Sequence, residues 1–184
     1  MPLPAHSIMS LLHRFRRNRR GATAVEFALV APLFFGLLFA IIEVAMIFLA
    51  SQVLETVTQD SSRYIMTGQA QGANYTQQQF KDYVCGKVSA LFDCANGVYV
   101  DVRSYPSATG FSSVNITPIT DPTQVKWCPG KDGDVVVVRL FYQWPLFVTK
   151  LGFNVANLPN GKRLLIATAT FKNEPSGTAG VTCS

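Results

Sequence analysis

Histidine and metal-binding cysteine motifs are scarce in this 184-residue chain. The only histidines are His6 and His13, and no C-x-x-C pair occurs. Zinc sites in proteins are built from clustered cysteine and histidine ligands, so the sequence argues against such a site and against a Cys/His catalytic pair. The chain beyond residue 50 also has no histidine, no G-x-S-x-G motif and no clustered carboxylates. These absences predict neither an enzyme nor a bound metal or other cofactor.

Acidic residues are missing from the first twenty positions, which hold five arginines: Arg14, Arg16, Arg17, Arg19 and Arg20. The remaining residues contain eleven basic and eleven acidic side chains, so the net charge of +5 belongs to the N-terminal segment. A nucleic-acid-binding protein would carry its basic residues on the folded domain. We therefore predict no nucleic-acid partner.

Long hydrophobic runs are also missing, except for one. Residues Phe27 to Ala50 form a 24-residue apolar run whose single charge is Glu43. A helix needs about 20 apolar residues to cross a bilayer core, and Pro32 is tolerated in such a helix. Five arginines precede the run and no basic residue follows until Arg63, which predicts a cytoplasmic N-terminus.

Three other interpretations of the run are possible. A Sec signal peptide has an apolar core of about 7–15 residues, and Arg19-Arg20 could belong to a twin-arginine signal. The run is too long for either signal. A buried core helix of a soluble protein would not need five flanking arginines. A retained membrane helix at residues 22–50 fits the sequence best.

The leader meets the helix in the sequence RRNRRGATAVEFALVAPLF, where basic residues run directly into Gly21 and Glu26 follows five positions later. This junction resembles the processing site of type IV prepilins, and most closely that of the TadE-like pseudopilins of tight-adherence (Flp) pili. The resemblance implies that a prepilin peptidase cuts between Gly21 and Ala22 on the cytoplasmic side. The apolar helix would then be kept.

Glu26 has a specific role in this interpretation. Cleavage would create an α-amino group at Ala22, and Glu26 lies one helical turn away on the same face. A carboxylate at the hydrocarbon edge is costly unless it is paired. The resemblance implies pairing with the α-amine of the same or a neighbouring subunit, which would set the axial register between helices. The alternative is an interfacial glutamate near the cytoplasmic arginines.

Two differences from major Flp pilins indicate which kind of pilus component this chain resembles. Major Flp pilins usually have Glu-Tyr where this chain has Glu26-Phe27, and they end soon after the helix. This chain continues for more than a hundred residues, which favours a minor pilin-like component. The segments FYQWPLF and FKNEP resemble the tail of TadE-like proteins. The resemblance covers residues 17–67 and, more loosely, 134–175, and residues 68–133 depart from it.

Glu43 allows two interpretations. It can reach the outer membrane interface from near the end of the span, as long polar side chains do. It can instead be a polar contact for helix packing. The sequence slightly favours the first.

The sequence pattern of the exported region, residues 51–184, predicts an α+β domain like that of pilins. Periodic apolar residues continue the first helix toward Gly68, and Thr76 and Gln79 can form a capping box for a second helix from Thr76 to Phe92. Strand-forming residues then predict a small antiparallel sheet of about three strands, at residues 98–103, 134–144 and 163–172. Alternation in the first strand places Val98, Val100 and Val102 on the buried face and Asp101 on the other.

The four cysteines all follow the apolar run. An even number on one side of a membrane favours disulfides in an oxidising compartment. Three pairings are possible, and locality favours Cys85–Cys94 with Cys128–Cys183. The alternative is partly free, buried thiols.

Three functions remain open at this point. The first is a minor pseudopilin in the bacterial inner membrane, whose partners are a prepilin peptidase, other pilins and pseudopilins, the inner-membrane assembly machinery and the lipid bilayer. The second is an uncleaved, membrane-anchored periplasmic binding or adhesion protein. The third is an anchored periplasmic enzyme, which the missing catalytic motifs disfavour.

Overall fold

The computed structural model describes residues 21–106, 124–148, 154–177 and 183. The chain divides into two compact units, Met1–Ile42 and Glu43–Ser184. The predicted leader is residues 1–21, of which residues 1–20 lie outside the described residues. The elements are α1 (Ala22–Met66), α2 (Gln69–Gly72), α3 (Gln77–Val88), β1 (Val98–Tyr105), β2 (Val135–Trp144) and β3 (Arg163–Lys172).

Helix α1 is much longer than a membrane span. Its 45 residues correspond to about 68 Å at 1.5 Å per residue. The predicted continuation beyond Ala50 is confirmed, and the helix ends at Met66. Gly68 follows with a φ of 75°, a left-handed conformation that glycine adopts without steric cost.

The described residues of the second unit share a hydrophobic core. Helix α1 contributes residues spaced three or four apart, which is the spacing of one helical face: Ile47, Ala50, Leu54 and Val57, followed by Ile65. Phe80, Val84 and Val88 of α3 join them. The sheet supplies the opposing layer, so a helical layer covers one face of a sheet, an α+β arrangement.

The start of α3 is confirmed and its predicted end is wrong. Thr76 and Gln79 form the reciprocal capping box. The helix ends at Val88, and the residues that follow form a turn. There the ring of Phe92 packs edge-on against Tyr142, with centroids 4.7 Å apart.

The sheet is a three-stranded antiparallel meander in the order β1-β2-β3. Val100 pairs with Leu140, which in turn pairs with Ala167. Directly opposed residues lie on the same face, so these three belong to the core layer. The predicted strands are confirmed, with β1 extending to Tyr105.

The region that departs from the resemblance supplies much of this core. It includes α2, α3 and β1, and also Trp127, which forms an isolated parallel bridge with Val102. The Trp127 indole N–H donates to the carbonyl of Tyr75 at 2.8 Å, and its ring lies 5.1 Å from that of Phe80. Residues 68–133 therefore complete the folded domain, apart from 107–123, which are outside the described residues.

Candidate functional site

The first two-thirds of α1 present apolar side chains outward. The large exposed ones are Val25, Phe27, Leu29, Val30, Leu33, Phe34, Phe35, Leu37, Leu38, Phe39, Ile41, Ile42, Val44, Met46, Phe48 and Leu49. Such a surface is costly in water and favourable in lipid. Within the described part of the chain, α1 is the one helix long and apolar enough to cross a membrane. This indicates a single-pass membrane anchor.

The predicted cleavage and register residues lie together at the start of this helix. Gly21 is exposed and immediately precedes α1, and Ala22 is the first helical residue. Apart from Gly21 itself and its immediate chain neighbours, no heavy atom of the described residues lies within 4 Å of a Cβ placed on Gly21. Glu26 follows four residues after Ala22 and is also exposed. The junction is thus sterically open, and the roles of these residues in cleavage and register stay predictions.

Glu43 does not reach outward to an interface, as the sequence favoured. Its side chain does not extend to the surface, since the residue is only 7% exposed. The carboxylate accepts hydrogen bonds from the backbone N–H groups of Phe147 and Val148, the latter at 3.1 Å from Oε2. It therefore binds the turn after β2 of its own chain. A role in packing against a helix of another subunit stays a prediction.

Both cysteine pairs favoured by locality are bonded in the structure. Cys85 of α3 bonds to Cys94 in the turn before β1, with Cα atoms 5.7 Å apart. Cys128 bonds to Cys183 near the C-terminus, with Cα atoms 4.4 Å apart. The first bond joins α3 to the turn before the sheet, and the second joins the C-terminal segment to the loop before β2.

Mass spectrometry can check this pairing. We expect the membrane-extracted protein, alkylated without reduction, to carry no alkyl group on any cysteine. In a non-reducing digest, the peptide that contains Cys85 should be linked to the one that contains Cys94, and the peptide that contains Cys128 to the one that contains Cys183. Each bond should contribute about 2–4 kcal/mol to stability. An alkylated cysteine, or a linked peptide joining Cys94 to Cys128, would contradict it.

Sequence analysis missed a buried ionic cluster around Asp101. Asp101, predicted on the outer strand face, is 0% exposed and lies opposite Arg139 in the β1–β2 register. Its Oδ2 accepts from Arg139 Nη2 at 2.7 Å, and Oδ1 accepts from the Lys126 backbone at 2.8 Å. Arg103 Nε also donates to this carboxylate at 3.1 Å. The Asp-x-Arg spacing of 101 and 103 was a signal for one pair, whereas Arg139 depended on the strand register.

The FKNEP segment anchors the end of β3. Asn173 is buried and its amide donates to the carbonyls of Pro129 and Lys131, at 2.9 and 3.1 Å. The next backbone N–H, that of Glu174, donates to the carbonyl of Met66 at the end of α1. An asparagine therefore satisfies two carbonyls in a buried position, where unpaired polar groups are costly.

A surface aspartate holds the segment that follows. The Ser176 hydroxyl and the Gly177 amide donate to Asp132, each at 2.9 Å. Hydrogen bonds to the charged form favour it, so the Ser176 hydroxyl, followed by the backbone amides, lowers the pKa of Asp132. The stabilisation is present above the ordinary aspartate pKa and is lost as pH falls through the lowered value.

Comparison with known proteins supports the N-terminal resemblance. The sequence model of the family described as TadE-like protein matches residues 21–63, which cover Gly21 and most of α1. No curated protein and no solved structure matches the chain. The looser resemblance at 134–175 lies outside the match and stays a prediction. Residues 21–63 are therefore similar to the TadE-like family, and they lie in a helix that is long and apolar enough to cross a membrane.

Proposed function

We propose that this protein is a minor pseudopilin that helps to initiate, anchor or cap a tight-adherence pilus. The observation that carries the proposal is the junction from Gly21 to Glu26, which stands at the start of the family match and of α1. A structural role agrees with the TadE-like family, whose members are pilus components. The long folded domain after the helix favours a minor component over a major subunit.

Leader removal follows from this proposal. Gly21 is exposed and uncrowded, and glycine gives a protease close access to the backbone. Cleavage before Ala22 removes all five leader arginines and leaves equal numbers of basic and acidic side chains. The mature helix then begins with an α-amine one turn from Glu26, available for pairing between subunits.

The proposed topology has the leader in the cytoplasm and residues 51–184 in the periplasm, with residues 22–50 in the inner membrane. The arginines before the helix favour this orientation. Both disulfides lie on the exported side, where the compartment is oxidising. The proposed partners are the prepilin peptidase, other pilins and pseudopilins, and the inner-membrane assembly machinery.

The N-terminus of the protein tests the proposal. We expect membrane-extracted protein to begin at Ala22 in cells that contain the prepilin peptidase and at Met1 in cells that lack it. Intact-mass measurement distinguishes the two, because the difference is the mass of residues 1–21. An intact Met1 in both strains would overturn processing and favour the second candidate, an uncleaved periplasmic binding or adhesion protein on a fixed anchor.

A further inference from the structure

The turn after β2 exposes a large aromatic side chain. Phe147 is 80% exposed, although Tyr142 and Trp144 at the end of the strand are buried. An isolated exposed apolar residue needs no explanation. Phe147 is different because its backbone is attached to the apolar segment of α1.

That attachment is the Glu43 carboxylate, which accepts from the backbone N–H groups of Phe147 and Val148. In an apolar environment, both the carboxylate and the two N–H groups require a hydrogen-bond partner. A carboxylate inside a bilayer is costly unless it is bonded, and backbone N–H groups in lipid must also be satisfied. The contact meets both requirements, so this turn can lie at a depth where water is scarce.

The position of Glu43 gives that depth. A bilayer core accommodates about 20 helical residues, so a core that starts at Phe27 ends near residue 46. Glu43 lies about one turn inside this limit. In the chain after Glu43, the apolar side chains of Val44, Phe48 and Leu49 remain exposed. The lipid-facing surface of α1 therefore continues past the residue that holds the turn.

Charge around the turn agrees with a lipid contact. No acidic residue occurs between Asp134 and Glu174 in the sequence. Arg163 pairs with Trp144 in the β2–β3 register, so Arg163 and the exposed Lys162 lie at the same end of the sheet as the turn. Basic side chains at this end suit the phosphates of lipid headgroups.

We propose that the turn 145–148 is a second membrane contact, with Phe147 inserted into the outer leaflet of the bilayer that α1 spans and Glu43 holding it there. The occupant of this surface is lipid: acyl chains around Phe147 and headgroup phosphates near Lys162. The contact would fix the exported domain to the membrane surface before assembly. It depends on the membrane anchor and not on leader cleavage, so it can fail or succeed independently of the proposed pseudopilin role.

Tryptophan quenching by brominated lipid tests the contact. Full-length Phe147→Trp is reconstituted into phosphatidylcholine vesicles with or without brominated acyl chains, alongside the wild type, which contains Trp127 and Trp144. We expect the emission added by residue 147 to be blue-shifted and mostly lost in brominated vesicles. Added emission that is red-shifted and unquenched would overturn the proposal.

Thr170→Trp is the matched control. Thr170 is exposed on β3, seven residues from Arg163 and thus about 23 Å further along the strand. Its added emission should not be quenched by brominated chains. Equal quenching at 147 and 170 would contradict a contact specific to the turn.

The role of Glu43 is tested in the Phe147→Trp background. Adding Glu43→Ala should shift the emission to the red and reduce quenching, whereas Glu55→Ala, at an exposed position on the same helix, should change neither. Unchanged quenching in the Glu43→Ala variant would refute the assignment of Glu43 as the anchor of the turn.

Discussion

Replacing Glu26 with alanine is expected to lower incorporation of the protein into pili on the order of tenfold while membrane insertion stays unchanged. A polar contact between membrane helices contributes about 1–2 kcal/mol in model peptides, and 1.4 kcal/mol corresponds to a factor of ten. Insertion depends on the apolar run, which the substitution does not interrupt. The measurement compares the amount of protein in sheared pili with the amount in membranes.

Glu55→Ala serves as the control for this experiment. Glu55 is exposed on the same helix, as Glu26 is, but it lies beyond the apolar run. The Glu55→Ala substitution should therefore leave incorporation into pili at the wild-type level. Wild-type incorporation of the Glu26→Ala variant would refute the register role, and loss of the protein from the membrane would show that Glu26 acts earlier, in insertion.

Replacing Asp101 with alanine is expected to cost about 3–5 kcal/mol of stability, because it removes one member of a buried ion pair. Arg139 is 4% exposed and bonds to Asp101 through both Nε and Nη2. Removing the carboxylate also frees the Lys126 amide. Chemical denaturation of the detergent-solubilised full-length chain, followed by tryptophan fluorescence, measures the loss.

Asp60→Ala is the matched control for this charge removal. Asp60 pairs with Lys87 across an exposed surface, with side chains 59% and 30% exposed. Such pairs contribute about 0–1 kcal/mol because water screens them. We therefore expect the midpoint to move much further for Asp101 than for Asp60. Similar shifts would show that the buried cluster contributes no more than a surface pair.

The predictions that succeeded depend on neighbours along the chain. The apolar run of α1 and the capping box of Thr76 and Gln79 involve residues within a few positions of each other. Runs of strand-forming residues are equally local, and they placed all three strands. The end of α3 failed for the opposite reason, since Phe92 leaves the helix to reach Tyr142, fifty residues further on.

The basic N-terminal segment, the single long apolar run and the five-residue spacing of Gly21 and Glu26 are visible in the sequence alone, because charge, hydrophobicity and spacing are properties of a linear segment. Only the tertiary structure decided where Glu43 and Asp101 direct their carboxylates. Glu43 bonds to Phe147, which lies 104 residues further along the chain, and Asp101 bonds to Arg139, which lies 38 residues further along. Strand register and the path of the turn bring such groups together, and neither is fixed by a local pattern.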